Sequence, residues 1–371
     1  MTVNFQQLPH PGIRSLTSYG TAKSVDELAR EKGIKGLISM ASNENPLGCS
    51  PKALAAVHQM TGKMIAAYPP PNDNLLKSKL AEKFKVNNNQ LLLSNGSDHL
   101  FCLLLKTFAS HLGKHILIHD YAFCSYALLA TALNIPYHSV PINSDWTVNI
   151  DNLIEACSSE TAILFIANPN NPTGILTGKK EIKRILENIP ESCLLVVDEA
   201  YFEFAASQYN GNNIDWLTEH PNLVITRTFS KIYGLAGLRF GYAIAHPDII
   251  DMLQRVQLPF SVNQAALIAA NAALSDEEFI HLSLKTNESG KQKLCECFES
   301  LNISYLSSAA NFICFDCKED SAQIYNYLLE KGILVRSLAY YKMNNYLRVT
   351  IGTNDQNIRF IKALNSYYSK S

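Results

Sequence analysis

Short, uniformly apolar runs alternate with helical stretches between residues 91 and 245. The runs at 162–167, 194–197 and 223–225 have no polar face. Strands that are apolar on both faces are typical of parallel sheets covered by helices on both sides. The alternation therefore predicts an α/β fold with a mainly parallel sheet, and polar residues that follow these strands are expected to meet at one edge of it.

The pattern changes after Pro247, where long helices precede strands that are separated by single helices. A chain of 371 residues is also longer than one ordinary hydrophobic core supports. We therefore expect a large domain over residues 46–260 and a smaller α+β domain over residues 261–371. Residues 1–45 would form an N-terminal arm and part of the small domain.

The charge is close to balanced, with a formal net charge of −1. This balance gives no indication of a nucleic acid or an anionic membrane as partner. No apolar run reaches the length of a membrane span, and residues 1–14 contain no apolar signal core. The sequence thus predicts a cytoplasmic protein.

Nine cysteines occur at irregular spacing. An odd, scattered set is typical of reduced, mostly buried thiols. The pairs Cys295/Cys297 and Cys314/Cys317 do not combine at the spacing of a zinc site, so no metal is expected.

Two loops that follow strands offer hydrogen-bond donors. In the first, Gly96, Ser97 and Asp98 open a helix, whose free backbone N–H groups can bind a phosphate; Ser97 could equally be a simple helix cap. In the second, two Asn-Pro steps stiffen residues 168–174, so Asn171 could donate to a ring oxygen or a carboxylate, or the loop could only connect.

Asp198 follows a third apolar run and would be costly to bury without a cation. A protonated pyridine nitrogen is such a cation, and Tyr201, three residues on, could donate to a phenolic oxygen of the same ring. A carboxylate that only caps a turn is the alternative.

Residues 226–242 hold hydroxyl groups, a lysine, three glycines and two arginines. We interpret Lys231 as the residue that holds a carbonyl cofactor as a Schiff base, with Thr228, Ser230 and Arg239 around its phosphate. An ordinary surface lysine in a loop is the alternative.

Arg336 and Arg348 each interrupt an apolar run of strand type. A guanidinium binds a carboxylate or phosphate through two parallel hydrogen bonds. The two arginines suit a substrate with two anionic groups, although a pair of edge-strand charges would show the same pattern.

Taken in order, these motifs resemble the fold-type I pyridoxal-phosphate aminotransferases, and among them the histidinol-phosphate aminotransferases. The resemblance runs from Arg14 to Gly352. The motifs that carry it are NENPLG at 43–48, AAYPPP at 66–71, SNGSD at 94–98, NPNNPTG at 168–174, VDEAY at 197–201, FSK at 229–231, GLAGLRFGY at 234–242, and the terminal LVR and LRVTIG.

The resemblance implies a large domain with a mainly parallel seven-stranded sheet, a smaller α+β domain and pyridoxal 5'-phosphate as cofactor. It implies that Lys231 bonds to the cofactor and moves the substrate proton, while Asp198 pairs with the ring nitrogen and Tyr201 and Asn171 bond the ring oxygen. The residues that it implies around the cofactor phosphate are Gly96, Ser97, Asp98, Thr228, Ser230 and Arg239.

The resemblance also implies a homodimer with shared active sites, in which Tyr68 reaches the phosphate of the other subunit. Phe123 falls where the family stacks an aromatic ring on the cofactor, although Tyr121-Ala122 departs from the usual residues before it. Further implied roles concern the substrates, with Arg348 at the α-carboxylate, Arg336 and Tyr19 at the substrate phosphate, and Asn43 and Asn171 beside the substrate.

The activity implied is transfer of an amino group from L-histidinol phosphate to 2-oxoglutarate, which gives imidazole-acetol phosphate and L-glutamate in histidine biosynthesis. An aromatic amino-acid aminotransferase and a phosphothreonine decarboxylase are the nearest alternatives. A non-catalytic module of the same fold is an alternative from a different class, but the presence of Lys231, Asp198 and Arg348 argues against it.

Overall fold

The structure is a computed structural model that describes residues 3–17, 24–70, 73–318 and 320–369. Its strands are β1 (Ile38–Ser39), β2 (Leu91–Ser94), β3 (His115–His119), β4 (Tyr137–Val140), β5 (Thr161–Ala167), β6 (Leu194–Asp198), β7 (Leu223–Thr228), β8 (Gly241–Ala245), β9 (Phe312–Asp316), β10 (Ile333–Leu334), β11 (Arg336–Ser337) and β12 (Tyr346–Thr350).

The α-helices are α1 (Pro11–Ser15), α2 (Val25–Lys32), α3 (Pro51–His58), α4 (Gly62–Ala66), α5 (Asn74–Phe84), α6 (Ser97–Leu104), α7 (Ser125–Ala132), α8 (Ile150–Ala156), α9 (Lys179–Asn188), α10 (Phe202–Tyr209), α11 (Pro247–Val256), α12 (Gln264–Ala273), α13 (Glu277–Ser300), α14 (Ser321–Glu330) and α15 (Asn354–Tyr368). A π-helical turn over Leu105–Ala109 extends α6.

The large sheet has seven strands in the order β2-β8-β7-β6-β5-β3-β4. Strands β3 to β7 run parallel, whereas β8 is antiparallel to both of its neighbours. Every residue of β5, β6 and β7 is buried, as their apolar sequences predict. The predicted α/β architecture with a mainly parallel seven-stranded sheet is confirmed.

Strand β8 brings two distant segments together. Gly241 is in register with Ser94 on one side and with Thr228 on the other. A Cβ at Gly241 would lie 2.9 Å from the Arg227 carbonyl oxygen and 3.0 Å from the Ser97 nitrogen. Only glycine therefore lets the start of α6 approach the end of β7 this closely.

The second sheet has three antiparallel strands in the order β11-β12-β9, and its core includes Met40, Phe298, Phe315 and Phe360. The apolar run that Arg336 interrupts, residues 334–336, is divided between two sheets. β10 pairs in parallel with β1, while β11 pairs with β12, because the chain crosses from one partner to the next at the buried Val335. Helix α2 begins at a capping box formed by Ser24 and Glu27 and ends at Gly33, whose φ is 65°.

The predicted domain boundary near residue 260 stays a prediction, and the packing favours a boundary further along the chain. Helix α12 packs against α3 within the core of the large sheet. Helix α13 contacts both cores, because Leu284 packs on the first and Phe298 lies in the second. We infer that the large domain extends through α12 and that α13 connects the two.

Candidate active site

A cavity of about 490 Å³ opens where β5, β6 and β7 end and α6 begins. Thirteen of the sixteen site residues predicted from the sequence line it. They are Asn43, Ser97, Asp98, Phe123, Asn171, Asp198, Tyr201, Thr228, Ser230, Lys231, Arg239, Arg336 and Arg348. Of the other three, Gly96 adjoins the cavity wall, Tyr68 lies elsewhere and Tyr19 falls outside the described residues.

Lys231 lies three residues beyond the end of β7. Its Nζ atom donates to the carbonyl oxygen of Ser42 over 3.3 Å and lies 5.7 Å from the centre of the Tyr201 ring. The amine therefore faces the cavity between the N-terminal segment and the loop after β6.

Asp198 is the last residue of β6 and is almost completely buried. Its Oδ2 atom accepts a hydrogen bond of 2.8 Å from the Tyr126 hydroxyl, and its Oδ1 atom accepts one of 3.3 Å from the Thr226 hydroxyl. Burial raises the pKa of Asp198 to about 7, against the opposing effect of these donors. A cation placed here would restore the charged form.

Asn43 ties the site to the small domain. Its side-chain amide donates to the Tyr201 hydroxyl oxygen over 2.9 Å, and its Oδ1 atom accepts from the Thr350 hydroxyl over 3.1 Å. The Asn311 side chain donates to its carbonyl oxygen over 3.0 Å. Asn43 adopts a left-handed backbone with φ of 56°, which asparagine tolerates better than most residues.

Hydroxyl, guanidinium and backbone N–H donors gather at the start of α6. The Thr228 hydroxyl donates to the Ser230 Oγ atom over 2.9 Å, and Arg239 reaches Ser230 and Asp98 over 3.4 Å each. Gly96 has φ of 81°, and a Cβ there would lie 2.6 Å from the Arg239 Nη2 atom. The first N–H groups of α6 lack partners within the helix.

Two arginines close the opposite side of the cavity. Arg336 and Arg348 are paired residues on β11 and β12. Arg348 is buried and donates to Asn171 and, over 2.8 Å, to the Ala41 carbonyl oxygen. Its Nε atom has no hydrogen-bond partner among the residues that the structure describes. Burial lowers the pKa of Arg348. Among the described residues, no carboxylate forms an ion pair with either arginine.

The aromatic residues considered for the cofactor lie in different places. Phe123 lines the cavity, whereas Tyr121 packs against Trp146 at a centroid distance of 5.1 Å. Tyr68 is 81% exposed and stacks on Phe260, away from the cavity of its own chain.

Several residues at the site were not predicted. Tyr126 contacts Asp198, Tyr341 accepts a hydrogen bond from the Cys124 backbone, and Ser42 and Tyr340 line the cavity. Tyr126 stands in the same aromatic stretch as Phe123, but nothing in the local sequence connects it to Asp198. In the described ranges, no group of three His, Cys, Asp or Glu residues could hold a metal ion, and no helix is long and apolar enough to cross a membrane.

A sequence model of the family "Aminotransferase class I and II" matches residues 35–364 of the 371. The chain belongs to this aminotransferase family. Among curated proteins, histidinol-phosphate aminotransferase 2 of Legionella pneumophila (strain Lens) is 60% identical over 99% of this chain and 100% of its own. A protein of the same name from Pseudomonas fluorescens (strain Pf0-1) is 42% identical over 98% of both chains.

Among solved structures, this aminotransferase resembles the histidinol-phosphate aminotransferase from Sinorhizobium meliloti in complex with pyridoxal-5'-phosphate. The TM-score is 0.89 at 25% identity, over 98% of both chains. The fold is that of the fold-type I pyridoxal-phosphate aminotransferases.

The aminotransferase takes pyridoxal 5'-phosphate as cofactor, and the chemistry of the cavity fits it. Asp198 is a buried carboxylate with two hydroxyl donors and no cation among the residues described, which suits a ring N–H⁺. The donors at the start of α6 suit a phosphate. Lys231, which lines the same cavity, offers an amine for the carbonyl carbon.

Proposed function

We propose that this chain transfers an amino group between L-histidinol phosphate and 2-oxoglutarate, giving imidazole-acetol phosphate and L-glutamate in histidine biosynthesis. The observation that carries the proposal is the 60% identity, over the whole length, with a relative named histidinol-phosphate aminotransferase. Two facing arginines, without carboxylate partners among the described residues, support it because each substrate is an anion.

In this proposal the cofactor is held at three points. Asp198 would pair with the ring nitrogen, Lys231 would bond to the carbonyl carbon, and the groups on and around Arg239 would hold the phosphate. The phosphate-binding set is Gly96, Ser97, Asp98, Thr228, Ser230 and Arg239, with Phe123 against the ring face. When bound, pyridoxal phosphate supplies an electrophilic carbonyl and a ring that withdraws electrons from the substrate α-carbon.

The reacting proton is moved by Lys231. Its amine lies inside the cavity close to the Tyr201 ring, so once the substrate amine has taken its place on the cofactor, Lys231 would be positioned to take the proton from the substrate α-carbon and to deliver it to the cofactor carbon that carries the amino group. A positioned base of this kind contributes about 10²- to 10⁴-fold to the rate. Tyr201 and Asn171 donate to the ring oxygen, and the bond from Asn43 leaves the Tyr201 proton free to point to the cavity.

Substrate anions are bound by the arginine pair. Arg348 takes the α-carboxylate of glutamate, while Arg336 takes the phosphate of histidinol phosphate together with Tyr19. Asn43 and Asn171 border the same space. Both arginines bond to the Ala41 carbonyl oxygen, which fixes their separation before substrate arrives.

We infer further that the active form is a homodimer and that Tyr68 serves the site of the other subunit. Tyr68 does not line its own cavity and stacks on Phe260, and the apolar side chains of Ile65 and Leu258, close in sequence to these two rings, are exposed as well. A cytoplasmic location remains part of this proposal, on the ground that the substrates are metabolites.

Half-reaction rates test the choice of substrate. The wild type and Arg336→Ala are mixed with L-histidinol phosphate, phenylalanine or O-phosphothreonine in single turnovers. Histidinol phosphate should react fastest with the wild type, and Arg336→Ala should slow it at least about tenfold while affecting phenylalanine less. Arg184→Ala is the matched control, since Arg184 pairs with Asp151 on the surface.

Two outcomes would contradict the proposal. A preference for phenylalanine that Arg336→Ala leaves unchanged would indicate an aromatic amino-acid aminotransferase. Loss of carbon dioxide from O-phosphothreonine would indicate a decarboxylase. Borohydride reduction followed by peptide mass spectrometry checks Lys231 separately, because the cofactor must then be found on the peptide containing that residue.

A further inference from the structure

Tyr126 is a fully buried tyrosine for which the proposed reaction has no direct use. It lies in the first turn of α7, with its ring stacked on Phe165 at a centroid distance of 4.6 Å and an angle of 11°. Phe101 and Phe123 meet it edge-on at 5.0 and 5.7 Å. Three rings thus fix the position of its hydroxyl group.

That hydroxyl group is committed to Asp198. It donates to Oδ2 over 2.8 Å, whereas Thr226 donates to Oδ1 over the longer distance of 3.3 Å. Burial raises the pKa of Tyr126 well above its usual value, so the phenol keeps its proton and remains a donor. Asp198 therefore has one oxygen strongly bonded and one weakly bonded.

The groups around Asp198 act in opposite directions. Burial favours its protonated form and the charge of Asp98 on α6 does the same, while the hydroxyls of Tyr126 and Thr226 and the N–H of Ala200 favour the carboxylate. Among the titratable groups that act on Asp198 in the described chain, Tyr126 favours its charge and Asp98 opposes it. Without the hydrogen bond from Tyr126, burial would raise the pKa of Asp198 further.

We propose that Tyr126 is a positioning residue that keeps Asp198 ionised, so that the proton shared between Asp198 and the cofactor ring rests on the ring. The inference rests on the pairing of Asp198 with the ring nitrogen in the proposed function. A donor to the carboxylate lowers its proton affinity without touching the cofactor. Without that donor, the buried carboxylate would take the proton and the ring would lose its positive charge.

The test measures binding of pyridoxal phosphate to the full chain between pH 6 and 9, by the change in cofactor absorbance. We expect Tyr126→Phe to weaken binding about tenfold near neutral pH and to move the midpoint of its pH dependence upward. The kcat value should fall while KM for the amino donor stays the same. In an Asp198→Asn background, Tyr126→Phe should have no further effect on binding.

Tyr209→Phe is the matched control, because Tyr209 is a buried tyrosine whose hydroxyl bonds to Asn213 instead. Tyr126→3-fluorotyrosine keeps the ring and makes the hydroxyl a stronger donor, so it should move the midpoint of the pH dependence downward. This variant provides the test if Tyr126→Phe does not fold. If both Tyr126 variants keep the wild-type midpoint, or if Tyr126→Phe weakens binding equally in the Asp198→Asn background, the inference about Tyr126 is wrong and the proposed function is unaffected. An Asp198→Asn chain that binds the cofactor like the wild type overturns the role of Asp198 as well. The identity of the amino donor affects none of these results.

Discussion

Arg336 and Arg348 lie directly opposite each other on neighbouring strands, and both donate to the carbonyl oxygen of Ala41. Two cations held this close repel each other until an anion lies between them. A bound anion removes this repulsion between the two guanidinium groups. The affinity for anionic substrates therefore depends on the fixed geometry of both groups.

Arg348→Lys should lower kcat/KM for L-glutamate about 10- to 100-fold. A lysine ammonium lacks the planar, widely spaced donors with which the guanidinium bonds Asn171 and Ala41 through two different nitrogens and still has N–H groups for a carboxylate. Steady-state kinetics with varied glutamate measure the effect. Arg255→Lys, in a surface pair with Asp251, is the control and should leave kcat/KM unchanged. An Arg348→Lys enzyme with wild-type kcat/KM would rule out a bidentate role.

Gly96→Ala should weaken pyridoxal phosphate binding about tenfold or more. The left-handed backbone at Gly96 disfavours any side chain, and the added Cβ would push the Arg239 guanidinium out of place, since they would lie only 2.6 Å apart. Cofactor titration measures the loss. Gly62→Ala, which adds a methyl group where no atom lies within 4 Å, should bind normally. If Gly96→Ala and Gly62→Ala bound pyridoxal phosphate equally well, the position of Arg239 would not depend on the absence of a side chain at residue 96.

The cofactor-free chain should lose stability as the pH rises from about 4 to 7. Asp198 has a pKa of about 7 when folded and 3.8 as its reference value, so the folded state binds the proton more tightly and deprotonation favours unfolding. Asp198 should lower the free energy of unfolding by at most ~1.4 kcal/mol for each pH unit in this range. Urea denaturation at several pH values measures it, and Asp198→Asn should flatten the curve. A wild-type curve that stays level through this range, or is unaltered in Asp198→Asn, would contradict the raised pKa.

Mixed dimers of Tyr68→Ala and Lys231→Ala subunits should recover activity that neither variant has alone. If Tyr68 acts across the interface, each mixed dimer contains one site with both residues intact. Free subunit exchange then restores about a quarter of the wild-type activity. Activity is measured after the two pure variants are incubated together. No recovery, with exchange verified by mass spectrometry, would contradict a role of Tyr68 across the interface.

The central part of the fold could be predicted because its signals are local. β5, β6 and β7 are apolar on both faces, and parallel strands necessarily end at the same edge. The short strands β1 and β11 could not be placed, because two residues become a strand only when a distant partner pairs with them. The division of residues 334–336 between β10 and β11, at Val335, depends on distant partners of this kind.

The same distinction separates the predicted site residues from the missed ones. Lys231, Asp198 and Asn171 follow strands, so their meeting at one edge could be foreseen. Tyr126 reaches Asp198 only through the packing of α7 on the sheet, and Tyr341 reaches Cys124 from the other sheet. No spacing in the sequence encodes contacts of this kind.

The bonds of Asn43 have a consequence for the order in which the protein is made. Asn43 is synthesised 307 positions ahead of Thr350, yet its backbone N–H and side chain bond to that residue. Asn43 therefore cannot hold Tyr201 in its final setting until Thr350 has been translated. The nascent chain can build its large sheet before then, whereas the site is completed only when β12 is available to Asn43.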